Sequence, residues 1–281
     1  MTDEKIRDYQ RKARAGHDPV AELRGWVEAA RKGALPHPDS APLVERLARG
    51  ELDRERLALA AYAGHQGALA LIGEETEAHA RSVGGQGAVK VIRRNDVTYR
   101  EIIGWLSGVA RWGTRVVALP QLAFARLVIR WLADACSGAH SGVFALVLEE
   151  NASVIAPRWL GRPAQEILDA EILRPAERAF DCAQRLLEGH RRSGDRASLK
   201  DFVDAIEAWD PIHPLRDDVR PVALALRSAL DSRGAKKRGS AVLAFGVNKV
   251  REFPPQAVAS AMRQVLVDFA LRREDGGAAG G

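Results

Sequence analysis

Apolar residues recur three and four positions apart along most of this chain, the spacing of helices with one buried face. Over 54–75, Leu57, Ala60, Ala61, Gly64, Ala68 and Leu71 form such a stripe. Tyr99, Ile102, Ile103, Leu106, Val109 and Ala110 form another. Thr98 stands before that stripe as an N-cap, with Glu101 three residues on to complete a capping box. From Thr114 to Cys136 the segment is apolar almost all round, which predicts the central buried helix, with Pro120 placed to kink it. Near the end, Val258, Met262, Val265 and Phe269 predict an inward face on a helix from Pro255 to about Arg272.

Breakers divide these segments. Gly16 ends a helix over "TDEKIRDYQRKARAG"; Asp18 caps the next and Pro19 opens it. "LPHPDSAP" separates this pair from a second, "APLVERLARG" followed by the 54–75 stripe. Laying "RKARAGHDPVAELRGWVEAA" on "ERLARGELDRERLALAAYAG" sets Gly16 opposite Gly50, an offset of about 34 residues that suits a helix–turn–helix repeat. "SVGGQGA", 82–88, has the composition of a flexible joint, and "VKVIRR" after it predicts a short strand. "CSGAHSG" breaks the chain near residue 140, and the apolar run "VFALVLEENASVIA" ends at Pro157. In "RPAQEILDAEILRPAERAFDCAQRLLEGH" Pro175 starts a new helix or bends the old one. Helices are expected over 199–208 and 215–232, around "WDPIHPLRD". "SRGAKKRGS" reads as a basic loop and "EDGGAAGG" as a disordered tail.

The pattern predicts an all-α fold: a multi-helix bundle, or a short repeat-like stack of antiparallel helix pairs, of about a dozen helices. The expected organisation is N-terminal helical pairs over 1–81, a linker over 82–97, a main helical domain over 98–273 and a disordered tail over 274–281. Composition agrees with a folded helical chain: of 281 residues, 46% are hydrophobic and 28% charged. Arg126 and Arg130 interrupt the most apolar run, so no membrane span is expected. The charged N-terminus has no apolar signal region. Cys136 and Cys182 read as two buried free thiols in a reducing compartment, and a cytoplasmic location follows as the expectation. The formal net charge is +5; residues 190–251 hold 13 Lys/Arg against 8 Asp/Glu, so they carry all of the excess.

Candidate chemistry is sparse. "GGQGAVKVIRR" puts glycines before Lys90, but a phosphate-binding P-loop needs Ser or Thr after the lysine, and Val91 stands there. "AVKVI" resembles a kinase lysine strand, yet the chain has no H-R-D or D-F-G, and "FGV" at 245–247 follows Ala244. "WDPIHPLRDD" gathers Asp210, His213, Asp217 and Asp218, which suit a metal or a base with its orienting carboxylate; helix breaking by the prolines and capping by Asp217 or Asp218 explain the same residues. Glu149, Glu150 and His140 are weaker acid/base candidates. Arg191, Arg192 and Arg196, with Lys236, Lys237 and Arg238, would contact nucleic-acid phosphates if the two basic stretches met. Neither stretch has an aromatic residue to stack on bases. No catalytic, cofactor or metal constellation is assigned.

Trp26, Trp105, Trp112, Trp131, Trp159 and Trp209 sit at apolar helical positions and read as core anchors, the alternative being a partner groove. "GELDRERLALAAYAGHQGALALIGEE", residues 50–75, resembles a segment of uncharacterised helical proteins of high-GC soil bacteria. The resemblance implies a helical fold and no particular chemistry. The expected role is a non-enzymatic protein-interaction or adaptor module, with nucleic-acid binding through 190–196 and 232–239, or an enzyme site in the 210–218 loop, as alternatives.

Overall fold

The computed structural model describes residues 18–94, 96–137, 162–209, 215–249 and 252–272. The fold is all-α, and no strand occurs among these residues. The helices are α1 (Pro19–Arg31), α2 (Ser40–Ala48), α3 (Arg54–Tyr62), α4 (Gln66–Arg93), α5 (Tyr99–Val109) and α6 (Thr114–Ser137). After them, α7 runs from Ala164–Leu168 through a π-helical turn (Asp169–Leu173) into Arg174–Glu188. The chain continues as α8 (Asp195–Glu207), α9 (Arg216–Leu230), α10 (Ala235–Asn248) and α11 (Pro255–Leu271). The π turn sits just before Pro175. Proline offers no N–H to the preceding turn and its ring crowds the carbonyl four residues back, so the helix widens there and continues. The helix at 2–16, the 143–156 run and the 274–281 tail lie outside the described residues.

The strand expected at 89–94 is corrected by the structure: residues 82–93 form the C-terminal part of α4, whose helical path breaks at Gly85. The glycines serve a helix crossing. A Cβ on Gly84 would lie 2.6 Å from the Gly104 carbonyl oxygen, so α4 and α5 pack backbone to backbone there. Gly85 (φ 64°, ψ −159°) breaks the helical path in a region that only glycine enters cheaply. Beyond the break Ala88, Val91 and Ile92 are fully buried. Facing the same crossing, Tyr62 and Trp105 exchange hydrogen bonds: the Tyr62 hydroxyl donates to the Trp105 carbonyl (2.7 Å), and the Trp105 indole donates to the Tyr62 carbonyl (3.1 Å). The capping box expected at Thr98 and Glu101 is present.

α6 is the centre. It packs against α7, α9, α10 and α11, and its Val117, Ala118, Phe124, Ala125, Val128 and Leu132 are buried. By length and composition alone Thr114–Ala135 is apolar enough to cross a membrane despite Arg126 and Arg130; 67% of that stretch is buried inside the fold. One polar residue, Gln121, is completely buried in it. Its amide donates to the Ala235 carbonyl (2.7 Å), and it accepts from the Ser228 hydroxyl (2.8 Å), which ties α9 and the start of α10 to α6. A buried amide is tolerated because its groups find partners.

One hydrophobic cluster runs from Leu43 to Ala270. The C-terminal helix joins the first quarter of the chain to the rest through arginines. Arg263 donates to the carbonyls of Ala63 (2.9 Å) and Val91 (3.1 Å), at the C-terminal ends of α3 and α4. Arg46 and Arg56 in turn donate to the Leu271 (2.8 Å) and Ala270 (2.9 Å) carbonyls at the end of α11. Arg272 pairs with Glu188 of α7 at 2.6 Å. Each contact places cations on helix C-terminal carbonyls, or pairs a cation with an acid, where they stabilise helix ends and fix their relative position.

His65 supplies the cap of α4: its Nδ1 accepts from the Ala68 amide at 3.3 Å. Burial pushes its pKa down; Asp39 opposes this and His37 adds to it. Only the neutral ring accepts that bond. Native His65 therefore binds a proton less readily than in the unfolded chain, where histidine titrates near about 6.5. Its contribution is fully present above about 6.5 and is lost as pH falls through the depressed native value. Urea unfolding at neutral and mildly acidic pH should show stability falling on the acid side. His65→Asn, which keeps a capping acceptor, should flatten that slope; an unchanged slope would show that another group sets it.

Candidate binding cleft

A concavity lies between α1 and the start of α4. Local sequence builds both walls. Asp18 caps α1 through Oδ1, accepting from the amides of Val20 (2.9 Å) and Ala21 (3.2 Å), and Pro19 fixes the first turn. From that start Pro19, Glu22, Trp26 and Ala29 follow at helical spacing along one face, and the face lines the cleft. Gly33 (φ 63°) turns the chain so that Ala34, Leu35 and Pro36 close one end. Opposite, Leu69 to Glu75 of α4 form the second wall. Ile72 departs from helical geometry there (φ −132°, ψ 28°), and the Thr76 hydroxyl takes up its carbonyl at 2.9 Å. The volume is about 850 Å³.

Arg54, at the start of α3, bridges the walls. It pairs with Glu22 of α1 and, at 2.8 Å, with Glu75 of α4, and its guanidinium lies 6.0 Å from the Trp26 ring centre. Burial works against this charge, but Glu22 and Glu75 together raise its pKa above the ordinary value. Arg93 reaches back over α4 to Glu77 at 2.5 Å; Gly73 keeps its path open, since a Cβ there would stand 3.1 Å from the guanidinium. The cleft thus combines an apolar floor (Ala29, Leu35, Leu69, Ile72), a half-buried indole and a charged rim. Such a site holds a ligand by apolar contact and orients it by charge.

The residues singled out from sequence fall elsewhere. Arg191, Arg192 and Arg196 are exposed around the start of α8, where Asp195 pins the turn by accepting from the Arg192 amide (2.9 Å) and pairing with Arg185 (2.6 Å). These bonds from Arg185 and Arg192 hold the Asp195 carboxyl far below the usual range. The stretch read as a basic loop at 232–240 is a 3-10 turn, Ser232–Gly234, followed by the first turns of α10. Lys237 is exposed; Arg238 turns inward, donating to the Ser228 hydroxyl at 3.1 Å and approaching Asp231 at 3.6 Å. The Lys236 side chain lies outside the described residues, as do Asp210, His213, His140, Glu149, Glu150 and Trp159.

Of the 210–218 cluster, Asp217 is exposed on the first turn of α9 and Asp218 faces Lys249 at 3.6 Å, with the Lys249 ammonium 5.2 Å from the Trp131 ring centre. Burial pushes the Asp218 pKa up, partly offset by Lys249. Among the described residues no group of three or more His, Cys, Asp or Glu side chains is placed to hold a metal ion. Cys182 is a buried free thiol, and burial raises its pKa.

Of the tryptophans, Trp105 is fully buried, while Trp26, Trp112, Trp131 and Trp209 are partly buried against the core. The sequence signal for the cleft was present in the face Pro19–Glu22–Trp26–Ala29; the arrival of Arg54 and α4 opposite it was not. Comparison with protein-family models, with curated proteins and with solved structures finds no match to the chain.

Proposed function

We propose that the chain is a non-enzymatic protein-interaction module and that the cleft between α1 and α4 receives a segment of its partner. The observation that carries this reading is the half-buried Trp26 beside Arg54 in a cleft of about 850 Å³. Tryptophan and arginine are the residue types that most often dominate the energy of protein interfaces, and they do so from pockets ringed by polar groups.

The reading is tested by selecting short random displayed peptides on the full chain and re-screening them on Trp26→Ala. A second variant, Ala34→Trp, fills the cleft from an exposed position and leaves the core untouched. Peptides that bind the parent and lose at least about tenfold in affinity on both variants, a loss of about 1.4 kcal/mol, are the expected result. A selection in which every binder tolerates both substitutions would discard the cleft as the binding site.

A further inference from the structure

We infer that the segment bound in this cleft is basic: a short stretch of another protein that carries arginine or lysine beside an apolar anchor. The inference rests on the proposed role of the cleft. Its ground is a local reversal of charge. The chain as a whole is positive, at +5, yet the cleft is lined by four carboxylates, Asp18, Glu22, Glu74 and Glu75, against two cations, Arg54 and Arg93. Arg54 is already shared by Glu22 and Glu75, and Arg93 is drawn to Glu77, which is not part of the lining. Glu74 and Glu75 are exposed at the rim, and Asp18 uses a single oxygen for both of its cap bonds. Opposite charges across an interface steer and orient a partner, and like charges repel the wrong one.

The cleft also displays the chemistry it accepts. Arg54 places a guanidinium near Trp26 and between two carboxylates, an arrangement that combines a cation–π contact with charge-assisted hydrogen bonds. A partner's cation docks by the same means, against the indole and the exposed carboxylates. Its apolar neighbour descends onto Ala29, Leu69 and Ile72.

The experiment reads the composition of the Trp26-dependent peptides and then measures synthetic copies by fluorescence anisotropy against the full chain, Glu74→Arg, and a distant control, Asp201→Arg on α8. Enrichment of Lys and Arg over the starting library is expected. So is a loss of about tenfold in affinity on Glu74→Arg but not on Asp201→Arg, together with weakening as salt rises. Trp26-dependent peptides that are neutral or acidic, or equal losses on the two charge reversals, would overturn the basic partner while leaving the cleft in place. If no peptide depends on Trp26, the cleft reading falls and this inference falls with it.

Discussion

Arg263→Met is expected to cost the fold roughly 3–5 kcal/mol, measured as a lowered urea midpoint with an unchanged slope. Methionine keeps the apolar stem and removes only the guanidinium. That group donates to Ala63 at 2.9 Å and Val91 at 3.1 Å, with longer approaches to Gly64 and Arg94 at 3.4 Å. A hydrogen bond from a charged donor contributes about 1.5–3 kcal/mol, and carbonyls left partnerless in a buried helix end add desolvation cost. Burial lowers the Arg263 pKa, yet the group remains far from neutral near pH 7, so the effect should be flat across that region. Gly64→Ala attacks the same clasp from the other side. Its Cβ would lie 2.3 Å from the Arg263 guanidinium, at a backbone φ of +87°. The two substitutions share one site, so their costs should fall short of additive. Full additivity would mean that Arg263 does not act through these helix ends.

Gly84→Ala should cost about 2 kcal/mol, clearly more than Gly87→Ala. At Gly84 the new methyl meets the Gly104 carbonyl oxygen at 2.6 Å and its carbon at 2.8 Å, and backbone cannot swing aside. Forced separation of packed elements costs about 1–3 kcal/mol or more, against about 1 kcal/mol gained from helix propensity. At Gly87 the first contact is a side-chain atom, the Glu101 Cγ at 3.0 Å, which has to give by only a few tenths of an ångström although its carboxylate is held in the capping box. A flexible joint would tolerate both changes equally, so equal thermal midpoints for the two variants would return 82–88 to the role its composition suggested.

The helical pattern was legible because the buried faces are nearly pure in type. The face of α5 falls where the spacing puts it, and the Thr98–Glu101 box is a local signal complete in four residues, but the stripe from Leu57 to Leu71, expected on one helix, is divided between α3 and α4 by the turn at Gly64 and His65. The inward face of α11 was only partly legible: Val258 and Met262 are buried, but the stripe continues through Leu266 and Ala270, with Val265 and Phe269 half-buried. Misreadings cluster where residue type carries two meanings. Glycine marks a joint or a close crossing, and only the presence of Gly104 across from Gly84 decides between them. Lys and Arg at 236–238 read as a solvated loop until Gln121 and Ser228 draw α10 and Arg238 inward. Trp26 reads as core, but it is only partly buried and lines the cleft.

By itself the sequence determined the all-α class, several helix starts, and the central, largely buried place of Thr114–Ala135, because capping, breakers and the 3.6-residue period act within a few residues. Only the tertiary structure decided that α11 clasps α3 and α4, that the glycine-rich segment is a helix crossing, and that Trp26, Arg54 and Glu75 share one cleft. Those contacts join residues from 20 positions apart (Gly84 and Gly104) to 214 apart (Arg56 and Ala270). They are set by how packed faces fit in space, which local periodicity does not encode.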